Sequence, residues 1–187
     1  MKLLLENWRH FVTEGGNVFV GEDVDAIPLE YIQPTLEKYY EELSRLFPEH
    51  AEHFQQFEPL GSVGKKARSG DIDLAVDVKT LFPMGKVTDA SLESWNLDPA
   101  SWRTTYDKMV QRARTATPSQ VELRAFLYEL AKYIGENSEI IKTDLKKVRP
   151  GKMFSLFPQI TDTGEQLDVG VQMDWMMGNR DWLKFSY

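Results

Sequence analysis

Two segments of alternating polarity, "DIDLAVDV" at 71–78 and "LDVGVQMDWMM" at 167–177, constrain this chain more than any other feature. Alternation puts successive side chains on opposite faces, so each segment reads as a strand with one face turned to a core. The stretch between them has helical period instead. "PSQVELRAFLYELAKYIGEN" places Val121, Phe126, Leu127, Leu130 and Tyr133 or Ile134 on one stripe, with Pro118 in its first turn and Gly135 where a C-cap belongs. "PASWRTTYDKMVQRARTA" is also helical, and Thr88 or Asp89 can cap a shorter helix before it. "LEYIQPTLEKYYEELSRLF" carries an apolar stripe at Leu36, Tyr39, Tyr40, Leu43 and Leu46, its N-terminal end expected at Pro34. Residues 1–13 suit a short amphipathic helix, and Val18–Val20 a brief extended piece.

"FEPLGS" reads as a short strand entering a turn, and "MFSLFPQI", "TDTGEQ" and "LDVGVQMDWMM" as an antiparallel hairpin. The expected fold is α+β, a mixed β-sheet of about four to five strands flanked by helices. The expected organisation is a single domain over 1–187, with an N-terminal helical segment (about 1–50) and an inserted helical section (about 80–135).

Chemistry narrows the function classes. The chain has no cysteine, which removes disulfides, zinc-thiolate sites and thiol nucleophiles and fits a reducing cytoplasm. "MKLLLENWRHF" is too short in apolar residues for a signal-peptide core, and no other run approaches a membrane span. A cytoplasmic protein without membrane contact is expected. The net charge of −7 argues against a long nucleic-acid track, which needs a broad basic surface. Basic residues do cluster at Lys65, Lys66 and Arg68 and at Lys142, Lys146, Lys147 and Arg149. A small phosphate-bearing ligand suits that pattern better.

Asp71 and Asp73 stand two residues apart on a strand, so both leave the same face, while Ile72, Leu74 and Val76 point to the core. Two such carboxylates repel each other, and a divalent cation relieves the repulsion; magnesium takes one or two carboxylates together with phosphate oxygens. The plainer alternative is a strand with one polar face in solvent. Ahead of the pair, Gly61 and Ser62 can offer backbone N–H groups and a hydroxyl to phosphate, with Lys65, Lys66 and Arg68 supplying charge. Other motifs fail. "GSVGKK" has two residues, not four, between its glycines and lacks the Ser or Thr of a Walker loop. Counted from Asp71, the EF-hand positions that need an oxygen ligand, Gly and Glu hold Ala75, Val76 and Phe82.

"LGSVGKKARSGDIDLAVD", with eight residues between Ser62 and Asp71, resembles the signature of the DNA polymerase β-like nucleotidyltransferase superfamily. A looser likeness through "GGNVF" and "VQMDWMMGNRDWLKFSY" is to small nucleotidyltransferases of tailed bacteriophages. The resemblance implies two Mg2+ (or Mn2+) ions at Asp71 and Asp73, an NTP substrate held by Gly61, Ser62, Lys65, Lys66 and Arg68, and a third carboxylate on a neighbouring strand. Asp168 and Asp174 compete for that place and share parity. Asp168 follows a turn, where a solvated carboxylate is ordinary. Asp174 sits in a nearly continuous apolar run, where an unpaired charge is costly and a metal accounts for it; it also follows the Val-Gln-apolar step frequent in the family. Asp174 is therefore expected, with Asp168 as the alternative.

The activity implied is transfer of a nucleoside monophosphate from an NTP to a hydroxyl of an RNA 3′ end, a protein or a small molecule, with release of pyrophosphate. The alternatives are a non-catalytic nucleotide- or partner-binding module of the same fold and, less well matched, a nucleotide-sugar glycosyltransferase. His50 and His53 are expected to be a solvated helix-end pair, and Trp175, Trp182, Phe185 and Tyr187 to be packing residues. The Lys142–Arg149 cluster is expected to be a charged approach to the hairpin, with a nucleic-acid or triphosphate role as the lesser alternative.

Overall fold

The computed structural model describes residues 19–60, 66–82, 85–179 and 183 of the chain. Seven strands lie within them: β1 (Ile27–Pro28), β2 (Glu58–Pro59), β3 (Arg68–Ser69), β4 (Asp71–Asp77), β5 (Lys142–Thr143), β6 (Lys152–Ile160) and β7 (Gln166–Gly178). The helices are α1 (Leu29–Leu46), α2 (Ala51–Phe54), α3 (Val78–Leu81), α4 (Asp89–Ser94), α5 (Pro99–Arg112) and α6 (Pro118–Asn137). The main sheet has the order β2-β4-β7-β6-β5, and β1 and β3 form a separate antiparallel ribbon. Only β4 and β7 run parallel; the other pairs of the main sheet are antiparallel, so the sheet is mixed and the fold is α+β.

The two alternating segments pair with each other at the centre of the sheet. Their odd and even positions separate as the pattern requires: Ile72, Leu74 and Val76 of β4 and Met173 and Trp175 of β7 are fully buried on one face. That face continues through Met153, Ser155 and Phe157 of β6 and is covered by α1 and α6. Phe57 meets the Trp175 ring edge-on at 4.9 Å. The β6–β7 hairpin forms as expected, with Gly164 in its turn at φ +84, a backbone angle that glycine adopts without strain.

Caps set the helical bounds. Thr88 and Thr117 each close a reciprocal capping box, with Ser91 and Gln120, and Asp98 accepts from Ala100 and Ser101 at the start of α5. Four features differ from the sequence expectations. Helix α1 begins five residues before Pro34: that proline removes only the bond its N–H would give Glu30, and the turn before it buries Ile32. Gly135 does not end α6, which continues to Asn137 and is capped by Ser138. A Cβ at Gly135 would stand 2.7 Å from Thr143 Oγ1, so this glycine permits close approach of helix and strand.

His50 is not solvated. The Pro48–His50 3-10 turn carries its ring inward, where it stacks on Trp95 at 3.7 Å with 5° between planes. Its Nε2 lies 3.0 Å from Ser94 O and its Nδ1 3.2 Å from His53 Nδ1, and burial lowers its pKa. Finally, Phe19–Val20 enters a turn closed by Glu22 N–H to Phe19 O rather than a strand. The expected helix at 1–13, Val18, and the aromatic residues Trp182, Phe185 and Tyr187 lie outside the described residues.

Candidate active site

In the parallel pairing of β4 with β7, Asp73 stands directly beside Asp174 and Asp71 beside Gln172. Residues paired in register share a sheet face, so Asp71, Asp73 and Asp174 project from the same side, opposite the helix-covered core. Adjacent strands lie about 4.8 Å apart and alternate residues about 6.6 Å apart along one strand, which makes the three carboxylates neighbours. Asp71 and Asp73 are half-buried, and Asp174 is only 5% exposed.

Asp168 is elsewhere. It is exposed near the start of β7, six residues and roughly 20 Å of strand before Asp174, and β4 begins its pairing with β7 only at Gln172. Of the two candidates, Asp174 is the one beside the Asp71–Asp73 pair. The paired strands set that charge on the sheet face opposite α1 and α6, where Gln172 donates to it, rather than against the main apolar core.

The electrostatics follow from this crowding. Burial raises the pKa of Asp71, offset in part by the ammonium of Lys152. Burial and then the charge of Asp71 raise Asp73, again against Lys152. Asp174 is pushed up to about 7, first by burial and then by Asp73, with Asp71 adding to it. Gln172 donates its Nε2 hydrogen to Asp174 Oδ1 at 2.8 Å, and this bond and Lys152 counter the rise. The group is thus a cluster of mutually repelling carboxylates with a single nearby ammonium among the causes of their shifts.

Gln172 and Lys152 are additions to the sequence expectations. Gln172 is legible in retrospect, since position i−2 on a strand shares the face of Asp174. Lys152 is not, because its place depends on the register that sets it opposite Met176 across the hairpin.

The phosphate-loop residues divide. Gly61, Ser62 and Lys65 lie outside the described residues, but Leu60, the residue before Gly61, donates its N–H to Asp73 O at 2.8 Å. Lys66 is exposed. Arg68 is turned toward Asp25, 3.0 Å from its Oδ2, and donates to Ala26 O, tying β3 to the segment that enters β1. Both partners of that ion pair are more than half exposed, so it contributes little to stability.

The donor set suits a hard cation. Three carboxylates on one face offer oxygen ligands only, and their mutual repulsion is the kind a divalent ion relieves. Among the described residues, no group of three or more His, Asp or Glu side chains is placed to hold a metal ion by itself. Magnesium does not need one, since it keeps several waters and takes one or two carboxylates alongside substrate phosphate. No helix among the described residues is long and apolar enough to cross a membrane. Compared with known proteins, the chain matches no family model, no curated protein and no solved structure.

Proposed function

We propose that this chain is a metal-dependent nucleotidyltransferase of the DNA polymerase β-like kind, moving a nucleoside monophosphate from an NTP to an acceptor hydroxyl. The observation that carries the reading is the register of Asp73 beside Asp174 with Asp71 on the same face. It puts a carboxylate from a strand about a hundred residues away beside the Asp-x-Asp pair, which supports this reading.

In this reading Asp71, Asp73 and Asp174 would hold Mg2+ or Mn2+. Bound there, the metal supplies positive charge to the triphosphate oxygens and lowers the pKa of the acceptor hydroxyl. Lys66, together with Gly61, Ser62 and Lys65 outside the described residues, would supply the phosphate contacts that the resemblance implies. Gln172 fixes Oδ1 of Asp174, which leaves Oδ2 to accept the acceptor's proton. The acceptor oxygen forms a bond to the α-phosphorus, the α–β bridging bond breaks, and pyrophosphate leaves with that electron pair. Positioning and charge stabilisation carry the catalysis.

The test is a mass-spectrometric screen for nucleotide-sized additions to RNA, protein and small-molecule acceptors with magnesium and each NTP. Transfer that Asp73→Asn reduces at least about a hundredfold supports the reading. Transfer undiminished in that variant overturns the assignment, and magnesium-dependent NTP binding with no product on any acceptor indicates a binding module.

A further inference from the structure

The end of α5, the link to α6, the first turns of α6 and the loop before β6 border an open surface cavity of about 420 Å3. Its charged lining residues are Arg112, Arg114, Arg124 and Lys146, and no acidic residue lines it. This stands out in a chain with 29 acidic and 22 basic residues. Elsewhere Arg45, Arg68, Arg103 and Lys142 each have an acidic partner.

The cavity's cations are not neutralised in that way. The guanidinium groups of Arg112 and Arg114 have no hydrogen-bond or ion-pair partner among the described residues. Arg124 donates its Nε hydrogen to Val148 O at 3.2 Å, which anchors the guanidinium and leaves its terminal nitrogens for another acceptor. Like charges gathered around one concavity repel each other and focus a positive potential into it, and an anion removes that cost. Guanidinium forks match phosphate oxygens bidentately. Part of the lining is apolar or aromatic, including Tyr128 and Leu145, so the site also offers a surface to the uncharged part of a ligand.

Size and overall charge select the ligand class. The volume falls within the range of small-molecule pockets, roughly 300–1,000 Å3. The chain's net charge of −7 opposes a long polyanion. We propose that this cavity binds a small polyphosphorylated molecule, its phosphates on Arg112, Arg114, Arg124 and Lys146 and its remaining body against Tyr128 and Leu145. The site is separate from the aspartates but close along the chain. Pro150 lines it, and Lys152, whose charge acts on all three aspartates, follows within about 7 Å of chain.

The test is calorimetric titration of the full chain in EDTA, which suppresses metal-dependent binding at the aspartates. The probes are sodium tripolyphosphate, ATP and a short oligo(dT) strand. Expected is saturable one-to-one binding of tripolyphosphate or ATP, weakened at least about tenfold by Arg112→Ala with Arg114→Ala and unchanged by Asp73→Asn. Both arginines are exposed, so the doubly substituted chain should keep its fold, which circular dichroism checks. Failure of both small probes to bind overturns the proposal, as does binding that the arginine substitutions leave intact or that Asp73→Asn abolishes. Binding of the strand alone also overturns it and assigns the groove to nucleic acid. None of these outcomes depends on whether nucleotidyl transfer occurs.

Discussion

Trp175 donates its indole N–H to Tyr39 Oη at 2.8 Å, and so ties the residue after Asp174 to the middle of α1. Tyr39 shares a second bond, 2.7 Å, with Ser155 Oγ on the neighbouring strand β6. All three side chains are fully buried, and burial pushes the Tyr39 hydroxyl far above its ordinary pKa, so it stays protonated. The face opposite α1 carries the carboxylates, and the face under α1 holds their strand in place through this polar chain.

Removing the hydroxyl in Tyr39→Phe leaves the Trp175 N–H and Ser155 Oγ without their shared partner in a dry core. The expected cost is about 1–3 kcal/mol of folding stability, read from denaturant unfolding. An unchanged midpoint would show that the network carries no weight.

Asp174 gives the metal-free chain a pH dependence of definite sign. Its folded pKa of about 7 lies above the 3.8 of an ordinary Asp, so the unfolded chain releases the proton first as pH rises. Its contribution to stability is full below pH 3.8 and is lost as pH rises through about 7. Urea unfolding in EDTA should show wild type losing stability from pH 5 to pH 8, and Asp174→Asn following a shallower slope. Asp71 and Asp73 shift in the same direction and add to the remaining slope, whereas His50, whose pKa burial lowers, opposes it. Equal slopes in the two proteins would contradict the burial seen here.

The two candidate third carboxylates separate by mutation. Asp174→Asn should reduce nucleotidyl transfer at least about a hundredfold, whereas Asp168→Asn, exposed and distant along β7, should leave it unchanged. The reverse order in a steady-state assay would move the site to the hairpin end.

Gly135→Ala should destabilise the protein, although alanine is worth about 1 kcal/mol over glycine in a helix interior. The new methyl meets Thr143 Oγ1 at 2.7 Å and displaces the bond, also 2.7 Å, that this hydroxyl gives to Ala131 O. Thermal unfolding checks the sign, and a raised melting temperature would mean that the contact yields easily.

Much of this arrangement is legible in the residues because it rests on local period. Alternation in 71–78 and 167–177 identifies both strands and which face each buries, and shared parity already puts Asp71 with Asp73 and Gln172 with Asp174. What alternation does not contain is partner and register. The same pattern permits Asp168 or Asp174 beside Asp73, and the choice belongs to pairing across a hundred residues. Pro34 and Gly135 mislead for a related reason: their local meaning is a helix end, and tertiary burial of Ile32 and the close approach of Thr143 override it. His50 turns inward because Trp95, more than forty residues later, supplies a ring to stack on.

The pairing of Asp73 with Asp174 spans 101 positions (174 − 73) and is made between parallel strands. A contact of that span is entropically expensive to close and is characteristic of slow-forming topology. Neither strand carries the three-carboxylate group alone, so the group cannot exist in a partly folded chain, however well its helices have formed. The order of assembly thus keeps the three carboxylates apart until the centre of the sheet is in register.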